Sequence, residues 1–198
     1  MGERRREQSA PARPPRPSPE ILKRRAKWTN TGRVRPGWAQ TPRPGQRSVW
    51  DFPRPPMLAP VRDVVRVEVS GCLVAETRVA LQVLETASPP TIYIPPGDVD
   101  ARTLAPNGIS TCCEWKGAAE HFDVAAGGRR SPDAAWAYPD PFPEFAAIRA
   151  WLAFHPARVD RCLVGDEAAR AQPGGYYGGW VTSDLAGPFK GEPGSQAW

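Results

Sequence analysis

Proline and glycine divide this chain into short segments and so limit the secondary structure that it can form. The 198 residues include 25 prolines and 18 glycines. Proline removes a backbone donor and fixes φ, and glycine loses much conformational entropy when it is ordered, so long regular elements are disfavoured. Several of the short apolar runs between them alternate with polar residues. The pattern predicts a compact, mainly β domain of short antiparallel strands joined by Pro- and Gly-rich loops.

The clearest strand signal is the run VVRVEVSGCLVAET, residues 64–77. Its valines alternate with polar residues, and this period of two is typical of a half-buried strand. Ser70 and Gly71 favour a turn inside the run, so we expect a hairpin. Residues 80–86 are compatible with either a short strand or a helical turn. Further strands are predicted in four segments: TIYIPP, AAEHFDVAAGGR, AWAYP and VDRCLVGDEA.

One α-helix is predicted, in the segment PEFAAIRAWLAF, residues 143–154. Pro143 suits a first helical turn, and Glu144 is favourable near a helix N-terminus. The apolar side chains that follow are spaced to share one helical face. They are Phe145, Ile148, Trp151 and Leu152.

The N-terminal quarter of the chain differs from the rest in charge. Residues 1–49 contain 13 Lys or Arg against 3 Asp or Glu, whereas the remaining residues contain 13 against 18. Residues 1–27 are rich in Arg and Pro, so we expect a disordered basic tail that is dispensable for folding and able to bind anionic partners weakly. Residues 28–60 add aromatic anchors and are expected to form an extended arm packed on a β domain, residues 61–198. Because this domain is mildly acidic, we expect no nucleic acid to bind through it.

Several classes of protein are disfavoured by the sequence. The four cysteines form no Cys-x-x-Cys pair, so we expect neither a metal site nor a cofactor. No apolar signal segment follows the N-terminal arginines, and no apolar run is long enough to cross a bilayer. We therefore expect a cytoplasmic protein that makes no membrane contact, and its oligomeric state stays open. The usual hydrolase, metalloprotease and dinucleotide motifs are absent from the sequence.

The first of three chemically rich stretches is TCCEWKG, residues 111–117. On a strand, Cys113 and Trp115 would share one face. Glu114 and Lys116 would lie on the other face, as a pair able to move a proton or hold an anion. The alternative is a core tryptophan beside an exposed ion pair of little energetic value.

The second stretch is AWAYPDP, in which Trp136 and Tyr138 would share one strand face. The third is QPGGYYGGW, residues 172–180, where glycines permit backbone reversals and close approach to other groups. We expect this loop to lie over an aromatic pocket, with Trp180 returning to the domain as an anchor.

The two histidines belong to no recognised catalytic motif. His155 is expected to pack at the end of the predicted helix. A pair of Cys113 with His121 across neighbouring strands stays possible.

Several stretches, taken in order, resemble the domain of unknown function 427 family of bacteria and fungi: SVWDFPRPP, VLETASPPTIYIPP, CEWKG, AWAYPDP, and QPGGYYGGW followed by GPFKG. The resemblance covers residues 28–198. Family members are sometimes labelled nucleotidyltransferase-like, but this chain lacks the Gly-Ser and paired-carboxylate metal motif of that chemistry. The resemblance implies a β-tent fold, also seen in methionine sulfoxide reductase B and the thalidomide-binding domain of cereblon. Zinc-binding Cys-x-x-Cys pairs of such relatives are missing here.

The analogy with cereblon implies an aromatic cage, here formed by Trp115, Trp136 and Trp180. The other ligand-binding candidates are Tyr93, Tyr138, Tyr177 and Lys190. We expect the cage to bind a planar or cyclic neutral small molecule beneath the glycine-rich loop.

The alternative function is a small-molecule enzyme of hydrolase or transferase type that uses the same pocket. Glu114 would then act as acid or base, and Lys116 would stabilise developing negative charge. Cys113 is a further candidate, as nucleophile.

Overall fold

The computed structural model describes residues 15–195 and Trp198. The described residues form one α-helix, α1 (Pro19–Ala26), together with 3-10 helices and many short strands, so the prediction of a mainly β fold is confirmed. The 3-10 helices are Val49–Asp51, Pro96–Asp98, Ala101–Thr103 and Pro143–Ile148. The strands are β1 (Arg47–Ser48), β2 (Met57–Pro60), β3 (Val65–Val69), β4 (Cys72–Thr77), β5 (Leu81–Glu85), β6 (Ser88–Ile94), β7 (Leu104–Cys113), β8 (Gly117–Ala126), β9 (Arg129–Ala137), β10 (Leu152–Phe154), β11 (Arg161–Val164), β12 (Glu167–Ala168), β13 (Arg170–Ala171), β14 (Trp180–Val181) and β15 (Leu185–Ala186). No helix in this part of the chain is long and apolar enough to cross a bilayer.

Two antiparallel sheets make up most of the fold. The larger has seven strands in the order β2-β5-β6-β10-β9-β8-β7, and the smaller has four in the order β12-β11-β3-β4. The predicted hairpin is β3–β4, and the segment left open at residues 80–86 forms β5. Two short pairs, β1 with β15 and β13 with β14, complete the pairing.

Alternation along the strands determines where the core lies. Val65 and Val67 of β3 belong to the main core cluster together with Ile92 and Ile94 of β6. Tyr93, between the two isoleucines, belongs to a second cluster because successive side chains of a strand point to opposite faces. The seven-stranded sheet therefore has the main core on one face and an aromatic cluster on the other, which we call the outer face.

The α-helix predicted for residues 143–154 is wrong. A kinked 3-10 helix ends at Ile148, Ala150 has a left-handed φ of 59°, and the chain continues as β10 between β6 and β9. All three residues of β10 are buried. A strand buried on both faces is a continuous apolar run, and its periodicity cannot be distinguished from that of a buried helix.

The prediction of a disordered tail fails at residues 19–26, which form α1, while residues 1–14 lie outside the described part. The Ser18 hydroxyl caps the helix by accepting a hydrogen bond from the Ile21 backbone N–H at 3.3 Å. On the domain side, Arg25 Nε donates to the Glu114 carbonyl at 2.6 Å, and its guanidinium lies 5.0 Å from the Trp115 ring centre. These contacts join positions about ninety residues apart, so local composition does not report them.

We expect Arg25→Ala to lower the free energy of unfolding by about 1–3 kcal/mol, since charged hydrogen bonds and a cation–π contact are lost together. Lys23→Ala is the matched control, because Lys23 is exposed on the same helix. Urea unfolding of the two variants provides the measurement. Equal stability of both would show that α1 does not contribute to domain stability through Arg25.

Candidate functional site

A cavity of about 810 Å³ lies on the outer face of the seven-stranded sheet. Its floor is built from alternate residues of neighbouring strands, because side chains two positions apart share a face. The strand residues that line it include Val83 of β5, Thr91 and Tyr93 of β6, Thr111 and Cys113 of β7, His121 of β8 and Trp136 of β9.

The glycine-rich loop covers part of this cavity. A Cβ atom on Gly178 would stand 2.1 Å from Cη2 of Trp136, so only glycine lets the loop lie directly on that indole. The buried side chain of Gln172 holds the loop in place: its Nε2 donates to the Lys190 carbonyl at 2.7 Å and its Oε1 accepts from the Gly179 N–H at 3.1 Å. Loop and cavity wall therefore form one packed unit.

The structure brings nearly all of the candidates from the sequence to this cavity. Those that line it are Tyr93, Cys113, Glu114, Trp115, Lys116, Trp136, Tyr138, Tyr177 and Lys190. Trp180 is the exception and its assignment to the cage is wrong. It is 1% exposed in the main core, and its Nε1 donates to the Phe154 carbonyl at 3.1 Å.

The strand predicted through TCCEWKG is also wrong beyond Cys113. β7 ends there, residues 114–116 form a turn, and β8 begins at Gly117, whose φ is +99°. Glu114 is oriented by the N-terminal segment rather than by Lys116. Its carboxylate accepts a hydrogen bond from Trp28 Nε1 at 3.1 Å and lies 3.8 Å from the guanidinium of Arg24.

Two lysines face the cavity, and within the described residues neither forms an ion pair. Lys116 is buried, with Nζ 5.6 Å from the ring centre of Tyr138. Desolvation lowers the pKa of Lys116, but proximity to the ionisable Cys113 and Tyr138 outweighs it and leaves this pKa well above its ordinary value.

Lys190 lies at the other side of the cavity, between an aromatic ring of the arm and one of the loop. Its Nζ is 3.7 Å from the ring centre of Trp28 and 5.6 Å from that of Tyr177. Desolvation lowers the pKa of Lys190. Aromatic faces stabilise an ammonium but do not neutralise it, so the positive charge faces the cavity.

Several buried polar atoms of the cavity wall have no protein hydrogen-bond partner among the described residues. They are Tyr93 Oη, Trp115 Nε1 and both ring nitrogens of His155. His155 follows β10 and does not end a helix, so its predicted position is wrong, but the side chain is packed, with its ring 6.3 Å from that of Trp136. Burial, and secondarily Arg158, lowers the pKa of His155 and keeps the imidazole neutral.

A hydrogen-bonded chain of side chains, not foreseen from the sequence, lies on the cavity floor. His121 Nε2 is 2.8 Å from Thr111 Oγ1, and His121 Nδ1 is 2.6 Å from Asp133 Oδ1. Arg158 donates to the other carboxylate oxygen of Asp133 and, at 2.5 Å, to its carbonyl. The Cys113–His121 pair considered above does not form: both ring nitrogens of His121 are bonded to Thr111 and Asp133, and Cys113 Sγ accepts from the Trp115 N–H at 3.4 Å.

The backbone of Asp133 is held in a strained conformation. Its φ is 50°, a left-handed value that is costly for a residue with a Cβ. The Asp133 N–H donates at 2.8 Å to the buried carboxylate of Asp123. Hydrogen bonds from this N–H, Asn107 and Arg130 lower the pKa of Asp123 to about 2. Pro132, inside β9, is a local signal of this irregularity.

Comparison with known families agrees with the resemblance noted in the sequence. The model of a family described as a domain of unknown function (DUF427) matches residues 57–165. This range includes Thr111, His121 and Asp133, and excludes α1 and the glycine-rich loop. No curated protein matches the chain. Because the family model covers more than half of the residues, the chain belongs to the DUF427 family.

Proposed function

We propose that this protein binds a small planar molecule with a negative charge in the outer-face cavity. The observation that carries the proposal is the composition of the cavity wall. Aromatic residues, two lysines that form no ion pair within the described residues, and residues whose buried polar atoms find no partner there all line the same cavity. The volume of about 810 Å³ falls in the usual range for small-molecule sites.

The aromatic side chains support a planar ligand. Trp136 and Tyr177 face the cavity from the floor and from the loop, and Tyr93 and Trp115 add buried rings whose polar atoms have no hydrogen-bond partner in the described part of the chain. Rings of this kind bind flat molecules through apolar area, while the polar atoms determine orientation. Burial raises the pKa of Tyr93, so its phenol stays neutral and can donate a hydrogen bond.

The two lysines support an anionic ligand rather than the neutral one expected from the sequence. An ammonium buried as deeply as that of Lys116 is costly unless an opposite charge compensates it. Nearby carboxylates are already engaged: Glu114 with Trp28, and Glu85 with Arg54. A ligand carboxylate or phosphate would supply the missing counter-charge.

The geometry favours binding over the acid–base role of Glu114 with Lys116. The Glu114 carboxylate is bound by Trp28 of the arm, whereas Lys116 Nζ packs against the rings of Tyr138 and Phe145. Neither group is thus prepared to exchange a proton with the other.

The test compares 2-naphthoate with the neutral 2-naphthamide, which has the same ring system. We expect tryptophan fluorescence titrations to show naphthoate binding at least about 10-fold more tightly, as one partly buried ion pair provides roughly 1.4 kcal/mol or more. Equal affinities would overturn the anionic character of the site. Absence of binding by both compounds would overturn the proposal as a whole.

Lys190→Met should remove most of the preference for naphthoate over naphthamide, because methionine keeps the apolar stem and loses the charge. Lys23→Met is the control, since Lys23 is an exposed lysine of α1 and does not line the cavity. Unchanged selectivity in Lys190→Met would exclude Lys190 as the anion-binding group.

A further inference from the structure

We propose that the protein is also an acyl-transfer enzyme, in which Thr111 is the nucleophile, His121 its base and Asp133 the positioning carboxylate. The substrate class is a small carboxylic ester with an electrophilic acyl carbon. The inference rests on the proposed small-molecule site, since the three residues lie on the floor of the same cavity.

The hydrogen-bond geometry determines the direction of proton transfer. Arg158 keeps Asp133 ionised, and the hydrogen bonds to Asp133 lower its pKa against the opposing effect of desolvation. An ionised carboxylate only accepts, so Nδ1 of His121 carries a proton, and in the neutral form of the ring Nε2 has the free lone pair. In that form the Thr111 hydroxyl, 2.8 Å away, donates to His121 Nε2. This is the arrangement of an activated hydroxyl.

The supporting contacts explain why the imidazole is held in this orientation. Asp133 is fixed by its strained backbone, by Asp123 behind it and by two hydrogen bonds from Arg158. Strain of this kind persists where the surroundings impose it, and such residues concentrate at active sites. The Thr111 side chain, in contrast, is on an exposed residue and accessible from the cavity.

The proposed reaction is balanced as an ester hydrolysis. Thr111 Oγ1 bonds to the acyl carbon and its proton moves to His121 Nε2; the C–O bond to the alcohol then breaks and the alcohol leaves with that proton. Water next attacks the acyl-threonine, again giving a proton to His121, and the acid is released as Thr111 recovers its hydrogen.

The test uses an alkyl fluorophosphonate, which reports an activated hydroxyl without knowledge of the natural substrate. Attack by Thr111 forms an O–P bond, the P–F bond breaks, fluoride leaves and the proton passes to His121. We expect a single adduct by intact-mass measurement of the full chain, assigned to Thr111 by peptide mapping. An adduct only at other residues, or no adduct, would overturn the inference.

Variants separate the proposed roles. Thr111→Val should abolish labelling, Thr111→Ser should retain it, and Ser110→Ala, at a neighbouring exposed hydroxyl, should leave it unchanged. His121→Gln and Asp133→Asn should each lower the maximal inactivation rate constant at least about 100-fold, with little effect on the half-saturating probe concentration. If Asp133 had only a structural role, its substitution would not lower the rate constant while leaving the half-saturating probe concentration unchanged. Labelling at an unchanged rate in His121→Gln would exclude activation by the histidine.

Binding of 2-naphthoate by the same variants distinguishes this inference from the proposed function. If the Thr111→Val variant still binds naphthoate but does not react with the fluorophosphonate, both the binding site and the proposed enzyme are supported. Wild-type protein that binds naphthoate and forms no adduct contradicts only the enzyme. Labelling of Thr111 without any naphthoate binding contradicts only the anionic ligand site.

Discussion

Replacing Trp180 by alanine is expected to lower the free energy of unfolding by about 3–5 kcal/mol, which is a large part of the stability of a domain this size. The indole is 1% exposed within the main core, and its Nε1 is bonded to the Phe154 carbonyl. The substitution leaves a cavity and an unpartnered buried carbonyl. Urea unfolding measures the effect, with Trp180→Phe expected to lose less because it retains most of the apolar volume.

Tyr177→Ala is the control for this prediction, because Tyr177 lies in the same segment but is 36% exposed and faces the cavity. We expect it to change stability by less than about 1 kcal/mol and to weaken naphthoate binding. The opposite result, in which Trp180→Ala remains stable and loses only ligand affinity, would show that Trp180 belongs to the cavity wall and not to the core.

Gly178→Ala is expected to reduce naphthoate affinity at least about 10-fold. The new methyl group would stand 2.1 Å from Cη2 and 2.8 Å from Cζ3 of Trp136, so the loop or the indole has to move. Overpacking of this kind typically costs about 1–3 kcal/mol, and here it displaces the ring that forms the cavity floor. Titration with naphthoate and urea unfolding together give the two effects.

Gly175→Ala in the same loop separates steric displacement from backbone strain. Gly175 has a φ of +69° and nothing within 4 Å of an added Cβ. The Gly175→Ala variant should lose roughly 1 kcal/mol of stability because alanine is strained at a positive φ, and the floor of the cavity should be unchanged. If both glycine variants weaken binding equally, loop rigidity rather than contact with Trp136 controls the site.

The sheet itself explains how dispersed residues form one site. Alternate positions of β6, β8 and β9 project Tyr93, His121 and Trp136 from the same face. His121 and Trp136 are direct partners in the register of β8 and β9. The glycine-rich loop, the N-terminal segment and residues 190–195 line the cavity above this face.

The candidate site was only partly predictable: its aromatic residues were identified from the sequence, and its hydrogen-bonded chain was not. Aromatic residues such as Trp136 and Tyr138 were identified because large rings spaced two apart are a local signal. The hydrogen bonds of His121 to Thr111 and Asp133 were not predicted. They depend on the strand registers of β7–β8 and β8–β9, and each of these two pairs contains a register shift. One residue more or less in such a shift places a side chain on the other face.

By itself the sequence determined the mainly β fold, the β3–β4 hairpin and the concentration of aromatic residues in three stretches, since each depends on neighbours along the chain. Only the tertiary structure decided that Trp180 enters the core while Tyr177 faces the cavity, and that residues 152–154 form a central strand. Period two tells which side chains share a face, but burial of that face depends on what packs against it. The contact between Arg25 and the turn before β8 likewise joins segments that no local pattern connects.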